Sequence, residues 1–184
     1  MSKAIFILLQ IFLLHPLMPS SAINIFELQF KSIDNIPINM SDYQNKHIVV
    51  VEFDASNPDR DVLLSLDSLY KTDAENIKII AVPCLDFGYP ANIENMRKLL
   101  LDTLNLSFPI TDTGYAKKQS TPNQHILMKW ITTQSENGHV DNDITEAGQL
   151  FIISKKGLLY ASLSRQNIFE KDLIQFLINN EPAE

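Results

Sequence analysis

The sequence predicts an α/β domain in which a central mixed sheet is flanked by helices. Two almost continuous apolar runs, 47–53 and 77–82, have the pattern of strands covered on both faces, as in a parallel pair. Between them, apolar residues recur at helical spacing, which predicts a β-α-β unit. A hairpin over 150–163 adds antiparallel strands, with Lys155-Lys156-Gly157 as its turn.

The segment that precedes the first long strand is predicted to be a β-hairpin. Residues 23–30 alternate between apolar and polar positions, which is typical of a strand. Asp34-Asn35 supplies turn residues, and 36–40 is the returning strand.

The helix between the two long strands is expected to begin near Pro58 and to end at Asn76. Ser56 or Asn57 can cap its amino end, and proline is favoured at the first helical position. Its inward-facing residues are Val62, Leu63, Leu66, Leu69 and Tyr70.

The second half of the chain completes a thioredoxin arrangement. Pro83-Cys84 close the second strand. The segments that follow are a helix at 93–106, an edge segment at 108–110, a short helix at 124–132, the hairpin, and a closing helix at 168–179. A β-α-β unit followed by a hairpin and a terminal helix predicts a thioredoxin-like fold.

The amino terminus is predicted to be a cleavable leader. Residues 4–14 form an apolar run behind a positively charged start, and small residues stand at Ser20 and Ala22. This is the layout of a secretory signal peptide, and the run is shorter than the roughly 20 residues of a membrane span. We expect 1–22 to be the signal peptide and 23–184 one exported domain, periplasmic or secreted. The alternatives are a short membrane anchor and a frayed amino terminus.

Charge and cysteine content exclude several classes of protein. Loss of Lys3 with the leader changes the net charge from −7 to −8, so no basic surface is expected for nucleic acid or anionic membranes. Cys84 is the single cysteine, which excludes an internal disulfide, a CxxC dithiol and cysteine-based zinc or iron–sulfur sites. It also excludes a copper chaperone built on a CxxxC pair.

Six segments resemble the glutathione peroxidase family, in that family's order. Residues 82–88 (VPCLDFG) resemble its F-P-C-N-Q-F-G, and 51–56 resemble the strand that ends in N-x-A-S. The other segments are Leu69-Tyr70 (L-Y), Phe108-Pro109 (F-P), 125–131 (H-P-L-Y-K-F-L) and 150–157 (F-L-V-D-R-D-G). The resemblance covers about 25–177. It implies a thioredoxin-like fold of the glutathione peroxidase type and a role in peroxide reduction or oxidative stress.

The reactive positions of that family are all changed in this chain. Its catalytic cysteine or selenocysteine falls on Pro58, its glutamine on Asp86, and its tryptophan and asparagine near Glu146 and Ala147. Proline has neither a nucleophile nor a backbone N–H, and carboxylates raise the pKa of a nearby thiol. The resemblance therefore implies a peroxidase homologue without the usual peroxidase reaction.

Two functions follow from these residues. The first is an exported, catalytically degenerate homologue that acts by binding a protein or a small molecule, with no cofactor. The alternative is a weak thiol peroxidase or redox sensor that uses Cys84, although a small buried apolar role is expected for this residue. The partner, the oligomeric state and the use of the sequons at Asn39 and Asn105 stay open.

No metal site or hydrolase nucleophile is expected. The acidic segment with Asp141, Asp143 and Glu146 has glutamate where a calcium loop needs glycine, so a solvated loop is expected. His125, His139 and Asp141 lack a metal-ligand spacing. No GxSxG motif accompanies the serines. Trp130 is expected to pack in the core or half-exposed, with a ligand platform as the alternative.

Overall fold

A mixed sheet of four strands forms the centre of the computed structural model, which describes residues 22–165 and 171–181. The strands of the described chain are β1 (Gln29–Lys31), β2 (Pro37–Asn39), β3 (His47–Asp54), β4 (Ile77–Cys84), β5 (Leu150–Ile153) and β6 (Leu159–Leu163). In the sheet the order is β4-β3-β5-β6. β3 and β4 are parallel, whereas β5 is antiparallel to both β3 and β6. The predicted mixed sheet is confirmed.

Helices flank this sheet. They are α1 (Arg60–Thr72), α2 (Ile93–Lys98), α3 (Ile126–Thr132), α4 (Gln134–Asn137) and α5 (Lys171–Asn179). α2 continues into a π-helical turn, Leu99–Thr103, and together they account for most of the predicted helix at 93–106. The short α4 was not predicted. The first residues of the predicted closing helix lie outside the described residues, as do 1–21 of the predicted leader.

The two long strands are buried because both faces of the sheet are covered. Alternate side chains of a strand point to opposite faces. Val49, Val51 and Phe53 of β3 pack in a cluster with residues of α1 and α5. Ile48 and Val50 pack in a second cluster with α3 and with the amino-terminal segment. This double burial is the physical reason for the apolar runs in the sequence.

The opening hairpin is confirmed, but the prediction of a strand from residue 23 is wrong. Ile25–Glu27 is a 3-10 turn, and only Gln29–Lys31 pairs with Pro37–Asn39. Asn24 causes the difference, because its Oδ1 accepts the N–H of Phe26 at 3.1 Å and offers the backbone an alternative to a strand.

The boundaries predicted for the first helix are also corrected. Neither Ser56 nor Asn57 caps α1: the cap is Asp59, whose Oδ1 accepts the N–H of Val62 at 3.2 Å. The side chain of Ser56 instead donates to Asp54 Oδ1 at 2.7 Å, in the turn after β3. Pro58 therefore precedes the helix rather than starting it. The helix ends at Thr72, and the chain turns before it enters β4.

Within the described part of the chain, every helix is too short or too polar to cross a bilayer.

Candidate functional site

The carboxyl ends of β3 and β4 and the amino end of α1 meet at one edge of the sheet. In open α/β sheets, ligands bind in the crevice at the carboxyl ends of the strands. Pro58 lines a cavity of about 200 Å³ here, together with Asp54, Asp59, Ala147, Gly148 and Arg165. Pro58 and Ala147, two of the positions singled out by the resemblance, are thus brought together. Glu146 is exposed and does not line this cavity.

An ion pair occupies the amino end of α1. Asp59 caps the helix through Oδ1, and its Oδ2 accepts a hydrogen bond from Arg165 Nη2. The stem of Arg165 packs on Gly148, where an added Cβ would lie 3.3 Å from Arg165 Cγ. Gly148 also has a φ of 90°, which favours glycine. The carboxylate of Asp59 therefore lies at the positive end of the helix dipole, where a negative charge is stabilised. The guanidinium of Arg165 pairs with that carboxylate.

Asp86 is turned toward another loop. Its carboxylate accepts the backbone N–H groups of Ala116 and Lys117, the latter at 3.2 Å, and the hydroxyl of Ser120 at 2.8 Å. It does not line the cavity around Pro58. Three donors on one carboxylate hold the 116–120 segment, so the role of Asp86 in this arrangement is structural.

Cys84 is completely buried at the end of β4. Its Sγ lies 3.4 Å from the carbonyl oxygen of Val82. Burial raises the pKa of the Cys84 thiol well above its ordinary value, and the carboxyl groups of Glu52 and Asp86 raise it further. A thiol with these surroundings is a protonated apolar residue at neutral pH, not a thiolate nucleophile.

Glu52 is a functional candidate that the sequence analysis missed. It is wholly buried in β3; its Oε1 accepts the N–H of Gln149 at 2.9 Å, and its Oε2 has no hydrogen-bond partner. Burial is the main reason that its pKa is raised to about 8, against the lowering effect of the hydrogen bond from Gln149. An acidic residue between Val51 and Phe53, inside a run of apolar residues, was the signal that could have found it.

The histidines and acidic residues considered as ligands are separated from one another. His125 caps α3, where its Nδ1 accepts the N–H of Leu127 at 3.2 Å. Asp141 pairs with Lys118 at 2.6 Å, and His139 is exposed. No group of three or more His, Cys, Asp or Glu side chains in 22–165 and 171–181 is placed to hold a metal ion. Trp130 is buried, and its Nε1 donates to the carbonyl oxygen of Ile23 at 2.8 Å.

Solved structures are similar to this chain, although no family model matches it and no curated protein is similar to it in sequence. The apo form of Trgpx is 18% identical with a TM-score of 0.64, covering 89% of this chain and all of that one. GPX1 of T. cruzi is 15% identical with a TM-score of 0.60, covering 84% and 94%. The bacterioferritin comigratory protein of Xanthomonas campestris, which has alkyl peroxide reduction activity, is 10% identical with a TM-score of 0.53, covering 82% and 90%. At these identities the likeness shows the thioredoxin-like fold of the glutathione peroxidase type.

Proposed function

We propose that this chain, with its thioredoxin-like fold of the glutathione peroxidase type, is an exported protein that acts by binding and does not reduce peroxide. One observation carries the proposal. The amino end of α1, where the resemblance places the attacking thiol or selenol, holds Pro58 and the ion pair between Asp59 and Arg165.

The chemistry of peroxide reduction explains the weight of this observation. A thiolate or selenolate attacks one peroxide oxygen, and hydrogen-bond donors stabilise both the anion and the leaving oxygen. Pro58 offers neither a nucleophile nor an N–H. The nearby N–H of Val62 is already bonded to Asp59. The site therefore lacks the attacking atom. The amino end of α1, which could stabilise an anion, is already occupied by the carboxylate of Asp59.

A weak thiol peroxidase or redox sensor based on Cys84 is the second candidate. Its support is that Cys84 lies at the carboxyl end of β4, in register with Asp54 of β3. Burial and the raised thiol pKa oppose it. A sulfenic acid on Cys84 needs an external thiol for its reduction, because the chain has one cysteine.

Peroxide consumption by the purified 23–184 chain separates the two candidates. The assay uses hydrogen peroxide and an alkyl hydroperoxide, with either glutathione or thioredoxin as reductant. We expect the wild type and Cys84→Ala to be equally slow, at the rate of the buffer with reductant. Turnover that the wild type shows and Cys84→Ala loses would overturn the binding proposal and assign the function to Cys84.

A further inference from the structure

A larger cavity lies beside β6, the outermost strand on the side of the sheet away from β4. It has a volume of about 520 Å³, against about 200 Å³ for the cavity at Pro58. The edge strand β6 and its neighbour β5 form one wall, and the loop 140–149 forms the other. Sites for small molecules in proteins fall between roughly 300 and 1,000 Å³, so this space is large enough for a ligand.

The deep part of this cavity is apolar. Ile131 of α3, Val140, Phe151 of β5 and Leu159 of β6 line it. All four belong to, or pack against, the core cluster on that face of the sheet. Ile131, Phe151 and Leu159 expose at most 5% of their surface. The half-buried Val140, Tyr160 and Ala161 supply the rest of the apolar lining, and an apolar group that covers them gains by leaving water.

The mouth of the cavity carries one negative charge. Among the residues of the described chain that line the cavity, Asp143 is the one with an acidic or basic side chain. Its Oδ1 is held by the N–H groups of Lys118 at 2.9 Å and Ile144 at 2.8 Å, which fixes the carboxylate at an exposed position. The ammonium group of Lys118 is paired with Asp141 and not with Asp143. Among these contacts, therefore, no cationic group pairs with the carboxylate of Asp143.

Hydrogen bonds hold the outer wall of the cavity in place. The side chain of Asn137 binds Val140 twice, accepting its N–H at 2.7 Å and donating to its carbonyl oxygen at 2.9 Å. Further along, Gln149 Oε1 accepts the N–H of Thr145 at 2.9 Å. A wall that is already ordered reduces the entropic cost of binding.

We infer that this cavity binds a small amphipathic cation, with its apolar body against the apolar lining of Val140, β5 and β6 and its cationic head at Asp143. The apolar lining selects the body, and the fixed carboxylate selects the sign of the head. The inference rests on the proposed function, since it names the ligand class for a protein that acts by binding, but it uses none of the residues near Pro58.

Paired probes of opposite charge test this inference. Decyltrimethylammonium and decyl sulfate share an alkyl chain, and each is titrated below its micellar concentration into the 23–184 chain by isothermal titration calorimetry. We expect one saturable site for the cation and at least about tenfold weaker binding of the anion, a free-energy difference of about 1.4 kcal/mol or more.

Three variants locate the site. Asp143→Asn keeps the oxygen that accepts the two N–H groups and removes the charge, so we expect about three- to tenfold weaker binding of the cation. Asp102→Asn makes the same charge change at an exposed position that does not line the cavity, and we expect less than about a twofold effect because such charges are screened. Ser162→Phe places a ring at an exposed lining position and should weaken binding at least about tenfold.

Several outcomes would overturn the inference. These are equal binding of the two probes, equal effects of Asp143→Asn and Asp102→Asn, and binding without saturation at one site. Analytical ultracentrifugation measures the oligomeric state. If the wild type is a dimer and Ser162→Phe a monomer, the cavity is an interface with a second copy of the chain. Peroxide turnover would refute the proposed function but not the binding of the cation, because the calorimetry measures a different part of the molecule.

Discussion

Glu52 is the residue whose chemistry departs furthest from what its position in the sequence indicates. An ionised carboxylate without solvent and with one unpartnered oxygen is costly in a protein interior. The raised pKa, about 8, shows how the fold resolves this: the group keeps its proton at neutral pH. Stability must therefore depend on pH through this one side chain.

The direction of that dependence follows from proton linkage. A free glutamate in the unfolded chain has a pKa of about 4.3, so between about pH 4.3 and 8 the folded state binds a proton that the unfolded state does not. The contribution of Glu52 to the free energy of unfolding is then largest below this window and falls as the pH rises through it. Above about pH 8 the loss from Glu52 is complete.

Urea unfolding of Glu52→Gln between pH 5 and 9 measures this effect. Glutamine has nearly the same shape and stays neutral, so its stability relative to the wild type should grow with pH, by a few kcal/mol in order of magnitude. Glu27→Gln, at an exposed site, serves as the matched control and should leave the slope unchanged. Parallel curves for the wild type and Glu52→Gln would contradict the assignment.

Cys84 gives a second test of burial. Replacement by alanine removes a buried sulfur and should cost about 1–3 kcal/mol of unfolding free energy. In the native protein, iodoacetamide should alkylate Cys84 only as fast as the chain opens, because the thiol is enclosed and protonated. Mass spectrometry of timed samples follows the reaction. Alkylation at the rate of a free cysteine would show an accessible thiolate and favour the redox alternative.

Among the elements, the start of α1 is held by Asp59, which caps the helix and pairs with Arg165. Asp59→Ala removes the cap and should cost about 0.5–2 kcal/mol of unfolding free energy. Asp59→Asn retains an oxygen for the N–H of Val62 and loses the charge that pairs with Arg165. About half of the Arg165 side chain and a quarter of the Asp59 side chain are exposed to solvent, so the loss should stay below about 1 kcal/mol. Thermal unfolding of both variants gives the comparison, and equal losses would show that the cap contributes nothing.

Pro58→Cys tests whether a reactive thiol can be restored there. In a Cys84→Ala background we expect the pKa of the new thiol to stay above about 7, because Asp59 already occupies the positive end of the helix. Adding Asp59→Asn should lower the thiol pKa more than adding Asp86→Gln, since Asp86 is bound to the 116–120 segment. The pH dependence of iodoacetamide alkylation reports the values. A thiol pKa below about 7 in the variant without further changes would refute the inhibitory role of Asp59.

For the molecule as a whole, export is the property that remains a prediction. If the leader is removed, protein recovered from its host should begin near Ile23 in mass spectrometry. In the uncut chain the backbone N–H of Ile23 donates to the carbonyl oxygen of Glu136, and its carbonyl oxygen accepts from Trp130, both at 2.8 Å. After the cut the new amino group is still a donor, so both contacts can be kept. Recovery of soluble protein that still carries 1–22 would refute the signal peptide.

The sheet was largely predictable because its signals are local. The runs 47–53 and 77–82 and the turn at 155–157 report burial and chain reversal within a few residues, and they placed β3, β4, β5 and β6 correctly. The ends of elements were less predictable. Asn24 and Asp59 each compete for a particular backbone N–H, and a pattern over ten residues does not reveal which polar side chain will bind it.

The sequence by itself determined the class of fold, the single cysteine and the lack of a nucleophile at position 58. The tertiary structure alone decided how the edge around Pro58 is filled. Asp59 and Arg165 are 106 positions apart, and Asp86 binds donors about 30 positions downstream. The burial of Glu52 and the cavity beside Phe151 likewise depend on which surfaces the sheet and its helices enclose. Such contacts join residues through space, and the chain pattern around each residue holds no information about its distant partner.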